Sequence, residues 1–188
     1  READRAHIRV IVEVGYSGST VLILRGDQIA FCKPINIGGE QFNQAVAEHL
    51  QMDERAAADL RCARIASGID GQPTDPATDR AVYDAVRPLM GDLVKEVTLC
   101  LRYYGVTFRG HPPEAIILTG GDGLEPRLGE VMAQACKTPV IFDDSIGTLG
   151  DLIGTIRSAL NRTPGPAASW TVAMGLSMRG LATQRRVP

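Results

Sequence analysis

The sequence predicts an α/β fold in which a mixed five-stranded sheet carries helices on both faces and a helical lobe is inserted into it. Three observations carry that expectation. The first forty residues alternate β-branched runs with turn residues, and the middle third switches to a helical period. The last third then returns to short apolar strands, each followed by a helix.

Ile8 to Val14 (IRVIVEV) is a β-branched run broken by charge, as expected of a strand near the centre of a sheet. Gly15-Tyr16-Ser17-Gly18 is turn chemistry, Ser19 to Arg25 (STVLILR) a second strand, and Gly26-Asp27 a two-residue hairpin signal. Gln28 to Ile37 is a third strand, placed at an edge by Pro34, which has no N–H to donate to a neighbour. After Gly38-Gly39 the residues Phe42, Ala45, Val46 and Leu50 form one helical stripe. Asp53 can cap a second, alanine-rich helix (ERAAADLRCARIA) with charges on one side. Ser67 to Thr78 reads as a loop. A long helix follows from about Asp79 to Tyr104, its stripe made of Val82, Val86, Leu89, Leu93 and Val97, with Pro88 expected to kink or split it. Beyond Gly110-His111-Pro112-Pro113 come a short strand (AIILTGG), a helix (LEPRLGEVMAQAC) and a strand from Thr138 to Phe142. Residues 143 to 167 read as loop with one weak helix, and a small-residue helix from Trp170 to Leu181 follows.

The 188 residues are 44 % hydrophobic and 22 % charged, enough for a sizeable core. A net charge of −2 without a basic block argues against nucleic acid as a partner. The 17 Arg against 3 Lys indicate genome composition rather than a partner. No apolar run reaches the roughly 18 residues of a membrane span, and no signal-peptide pattern opens the chain. Cys32, Cys62, Cys100 and Cys136 lie far apart without a C-x-x-C pair, which fits buried reduced thiols rather than zinc or a disulfide frame. His7, His49 and His111 have no carboxylate or thiol at ligand spacing and read as surface or capping residues. Asp143-Asp144 reads as a loop cap, and Tyr103-Tyr104 as core and rim. The first residue is Arg1 rather than Met, so the chain is expected to be a piece of something longer.

Three glycine-bearing turns fall at strand ends: around Gly15, at Gly38-Gly39 and at Gly120-Gly121. Ligands of open α/β sheets collect beyond the carboxyl ends of strands, and a helix N-terminus behind a glycine turn attracts anions. The segments EVGYSGSTVLILRGDQIAFCKPINIGGEQFNQAVAEHL, AIILTGGDGLEPRLGEVM and VAMGLSMRG occur in an order that resembles the actin/DnaK-type/FtsA ATPase superfamily, and within it the PilM family of type IV pilus assembly proteins. The resemblance covers roughly residues 8 to 181. It implies a ribonuclease H-like actin-type ATPase subdomain: residues 1–39 and 100–188 as subdomain 2A, and residues 40–99 as the inserted helical lobe, 2B. It also implies that the first half of a two-halved clamp precedes Arg1.

By this resemblance ATP with Mg is the expected ligand of the intact protein. Gly15, Ser17 and Ser19 would lie near the phosphates. Gly120 and Gly121 would pack against sugar and base with Asp122 at the rim. Gly39 opens the lobe, and Glu40 and Arg61 would flank ribose and adenine. Two departures stand out. Glu13 replaces the family's phosphate-hairpin Asp, and Ala57-Ala58-Asp59-Leu60-Arg61 replaces a Glu-x-x-Lys-like pair, leaving Asp59 as the nearest acid and Arg for Lys. The implied function is a scaffold at the cytoplasmic face of the inner membrane that binds the cytoplasmic tail of a PilN-like membrane partner and other assembly components. That reading admits a homo-oligomer, with at most weak ATPase activity and none in this fragment alone. The rivals are an ATP-dependent enzyme of the same fold, kinase or chaperone-type, and a degenerate interaction module without nucleotide.

Overall fold

The computed structural model describes residues 7–26, 28–70, 75–109, 111–142 and 167–184. Among them the order is β1 (Ile8–Val14), β2 (Ser19–Arg25), β3 (Gln28–Ile35), α1 (Gly39–Leu50), α2 (Glu54–Asp70), α3 (Pro76–Thr107), β4 (Ile116–Thr119), a 3-10 turn (Asp122–Leu124), α4 (Leu128–Cys136), β5 (Val140–Phe142), a second 3-10 turn (Ala167–Trp170) and α5 (Thr171–Gln184).

The five strands form one mixed sheet in the order β3-β2-β1-β4-β5. The first three pair antiparallel, whereas β4 lies parallel to β1 and β5 parallel to β4. β1 is therefore central, as its β-branched run leads one to expect, and β3 with Pro34 is an edge. Alternation along β1 buries Val10, Val12 and Val14 completely on one face, beside Val21 and Ile23 of β2 and Ile116 and Leu118 of β4. Phe42 and Val46 of α1, Val82, Val86, Leu93 and Val97 of α3, and Leu128 and Met132 of α4 complete the same core. Each such side chain gains about 1.5–3 kcal/mol by leaving water. The other face carries Glu13 and Thr119, and there the Thr119 hydroxyl meets Thr171 at the start of α5, 3.1 Å away. A bulge in β3 sets Ile29 opposite Leu24 and Phe31 opposite Ile23, so the intervening Ala30 has no opposite residue.

Several boundaries differ from the sequence reading. β3 ends at Ile35, not Ile37. α2 runs on through Ser67-Gly68-Ile69 to Asp70, shortening the expected loop. α3 begins earlier because Asp75 caps it, accepting from the Thr78 amide at 2.9 Å, and Pro76 occupies the first turn, where its missing N–H costs nothing. α3 is also unbroken by Pro88, whose ring stands on the exposed side, where water can take the carbonyl it leaves unbonded. The fourth helix starts at Leu128 and not Leu124, since Glu125 precedes Pro126 and is held extended at ψ 122°. Asp143-Asp144 and the expected weak helix lie outside the described residues.

His7, His49 and His111 are all exposed, and His7 pairs with Glu114 at 2.7 Å. Tyr104 is core and Tyr103 is rim, the latter against Phe31 and Phe108. The thiols only partly follow expectation: Cys100 is buried and Cys136 half-buried, but Cys32 and Cys62 are exposed.

Candidate functional site

The sheet register gathers the three glycine turns at one end. Val14 pairs with Ser19, Ser19 with Ile35, and Glu13 with Thr119, so the turns after β1, β3 and β4 all leave the same edge of the sheet. Gly120 has φ +91°, and a Cβ there would stand 2.3 Å from the Val14 carbonyl oxygen. Only glycine lets β4 cross over the end of β1 so closely. Gly38 is equally confined, with a Cβ there 2.5 Å from the Gly18 nitrogen and 2.6 Å from the Gly15 oxygen.

Much of the hydrogen bonding at this junction is internal. The Gly15 amide donates to the Gly18 carbonyl (3.0 Å), the Gly39 amide to Gly15 (3.0 Å) and the Glu40 amide to Tyr16 (2.8 Å). The Ser19 hydroxyl is buried and donates to the Ile37 carbonyl at 2.6 Å. It therefore ties β2 to the end of the β3 turn. Ser19→Ala should cost about 1 kcal/mol in a urea denaturation series, since the Ile37 carbonyl loses its donor; an unchanged midpoint would remove this role. Of the first turn, Tyr16 and Ser17 are the exposed corner. Glu40 is half-exposed in the first turn of α1, where a carboxylate suits the helix dipole.

Glu13 folds back over this junction, its Oε1 only 2.9 Å from where a Gly15 Cβ would be. Burial, and then the neighbouring Asp122, hold its carboxyl above the usual glutamate range. The folded state thus keeps this proton longer than the unfolded chain does. The group's stabilising contribution is complete below the unfolded pKa and is lost as pH rises through the folded one. Glu13→Gln should accordingly raise Tm at pH 7 relative to the parent, with the gap closing toward pH 4. A gap that widens on acidification would contradict this account.

The turn at Asp122–Leu124 is bound to α2 by buried charge. Arg61 is 2 % exposed, and all five of its N–H donors are used within the protein. Nε and Nη2 reach Glu125 Oε2 at 3.1 and 2.7 Å, and Nη2 also reaches Asp122 at 2.9 Å. Nη1 donates to Asn43 at 2.6 Å and to the Gly39 carbonyl at 3.2 Å, and the guanidinium lies 5.1 Å from the Phe42 ring centroid. Burial alone would lower the Arg61 pKa, but Glu125 and Asp122 outweigh it and hold it above its ordinary value. Arg64, equally buried, binds the second oxygen of Glu125 and, through Nε, Asp79 at 2.7 Å. Arg127 bonds the other oxygen of Asp79 at 2.7 Å and lies over Tyr83.

The Arg61 donors are thus engaged within the protein, where they hold Asp122 and the Gly39 carbonyl. Asp59, the nearest acid in sequence, is exposed, and Glu125 supplies the carboxylate. Glu125, Arg64 and Asn43 were not anticipated from the sequence. The available signal was the spacing Ala57, Arg61, Arg64, Ile65, a buried helical stripe in which two positions are arginine.

A family model described as type IV pilus assembly protein PilM matches residues 2–181. A comparison with curated proteins finds no match. Among solved structures the chain is similar to a PilM-PilN type IV pilus biogenesis complex, with TM-score 0.70 and 17 % identity, covering 95 % of this chain and 47 % of that one. An archaeal actin homologue gives TM-score 0.56 at 14 % identity, covering 85 % and 50 %. The ethanolamine utilization protein EutJ from Carboxydothermus hydrogenoformans gives 0.55 at 15 %, covering 73 % and 45 %. The chain thus spans about half the length of these proteins, and its fold is that of the actin-like ATPases.

Proposed function

This chain belongs to the PilM family of type IV pilus assembly proteins, and from that premise we propose that it forms one half of a two-lobed scaffold that takes a nucleotide by its phosphates and binds a membrane-anchored assembly protein. The observation that carries the nucleotide half of this reading is the convergence of three glycine turns beyond the carboxyl ends of β1 and β4. The exposed Tyr16-Ser17 corner would receive the phosphates through backbone amides and the Ser17 hydroxyl. Glu13 would face the water shell of Mg. A bound nucleotide supplies a multiply charged tether between the two halves, and so biases the angle between them and with it partner affinity. The division into subdomain 2A (1–39 and 100–188) and a lobe (40–99) belongs to the same proposal, with α3 carrying the chain from lobe back to sheet.

For the partner, the supporting fact is the likeness to a structure of a PilM-PilN complex. A PilN-like cytoplasmic tail is the proposed ligand, which puts the protein at the cytoplasmic face of the inner membrane. No helix among the described residues is long and apolar enough to cross a membrane. A second reading, an interaction module without nucleotide, is favoured by the donors of Gly15, Ser19, Gly39 and Arg61 already being engaged. Calorimetric titration of the full-length protein with Mg-ATP separates the two. Binding at micromolar ATP, with altered affinity for a synthetic partner tail, supports the scaffold; no heat at high micromolar ATP leaves the module.

A further inference from the structure

We propose that the Arg61–Asp122 ion pair closes the gap between α2 and the turn after β4, where the resemblance would put a base, and stays closed when nucleotide binds, so that this chain contacts the phosphates of its ligand and makes no contact with the base. The inference rests on the nucleotide reading above. Three surfaces that would have to frame a base are closed against one another. Arg61 on α2 meets Asp122 on the turn after β4 at 2.9 Å. A flat ring held between two such groups needs about 7 Å, two van der Waals contacts. The Asp122 carboxylate also lies against Gly39, where a Cβ would stand 2.2 Å from its Oδ2. Gly121, on the other side, is covered by Ser169, whose Oγ would be 2.7 Å from a Cβ.

Nor can the pair swing aside at small cost. Arg61 makes five hydrogen bonds, two of them to the fully buried Glu125, and side chains so satisfied have no alternative partner to turn to. A site that discriminates bases does so by hydrogen-bonding donors and acceptors that would otherwise stay unpaired. Arg61 offers none here. The chemistry that remains at the exposed end is that of an anion binder: the Tyr16-Ser17 corner, where backbone amides and a hydroxyl answer a polyphosphate with no regard to what it is esterified to. The ligand class is a nucleoside di- or triphosphate recognised through its phosphates, with inorganic tripolyphosphate an adequate substitute on this half.

The test uses the full-length protein with Mg-ATP and Mg-tripolyphosphate, by calorimetry and by NMR of the Arg61 Nε–H. Expected are an Arg61 resonance that exchanges slowly and does not move on saturation with ATP, and Kd values for the two ligands within about threefold. Asp122→Gly should open the slot and make ATP the tighter ligand by tenfold or more. Asp122→Asn, which keeps the shape, guards against a folding defect and should resemble the parent. Displacement or loss of the Arg61 signal on ATP binding overturns the latch while leaving the nucleotide reading intact. If neither ligand binds to the parent or to Asp122→Gly, the nucleotide reading fails and the latch with it, leaving the pair a strut. Binding of ATP by Asp122→Gly alone overturns the proposal too, since the parent would then not hold its ligand by the phosphates.

Discussion

Replacement of Glu125 by alanine will cost about 3–5 kcal/mol of folding stability, the magnitude seen when one partner of a buried ion pair is removed. Glu125 is 1 % exposed and receives hydrogen bonds from both Arg61 and Arg64. Deleting it leaves two buried guanidinium groups with only Asp122 and Asp79 as carboxylate partners. Arg64 already has one buried nitrogen, Nη2, with no partner among the described residues, so it has no slack to absorb the loss. Urea unfolding followed by far-UV circular dichroism measures the effect. A loss below 1 kcal/mol would mean that water reaches the cluster and that its burial is not what holds α2 to the sheet. Glu125→Gln should fall between, keeping the shape and one acceptor.

Gly120→Ala is the second large effect. A φ of +91° costs a non-glycine residue about 1–3 kcal/mol by itself. The new methyl would in addition collide with the Val14 carbonyl, nitrogen and carbon at 2.3–2.8 Å, all backbone atoms of the central strand. Relief is only possible by pulling β4 away from β1, which spoils the parallel pairing of Glu13 with Thr119. Gly91→Ala provides the contrast: it lies inside α3 with nothing within 4 Å of a new Cβ, and should stabilise by about 0.5–1 kcal/mol. Thermal melts of the two variants should therefore move in opposite directions. A melt of Gly120→Ala within a degree of the parent would show that the crossover is looser than drawn.

The strands and the glycine turns were legible because each is written locally. β-branched runs bounded by Gly and Asn or Asp name a strand, and Pro34 names an edge, with no knowledge of the neighbours. Helix ends were less so where the deciding residue acts through a neighbour. Glu125 is extended because Pro126 follows it, and α3 survives Pro88 because that turn faces water. The charged cluster was illegible for a deeper reason. Arg61 and Arg64 look like the solvated side of a surface helix, and only the long-range arrival of Glu125, 64 residues from Arg61, turns that side into an interior. Of the candidate site, the convergence of the turns follows from the register. That Ser19 and Arg61 spend their donors inside the protein is a tertiary fact with no local signature.

The unbroken passage of α3 past Pro88 also has a mechanical meaning. Thirty-two residues of helix make a rod about 48 Å long. One end is seated by Asp79 between Arg64 and Arg127; the other sets Tyr103 against Phe31 on the outer strand, with Phe108 just past the helix end stacked on Tyr104. One continuous helix therefore joins the buried charged cluster to the aromatic contacts beside β3, so that a single element serves both ends of the fold.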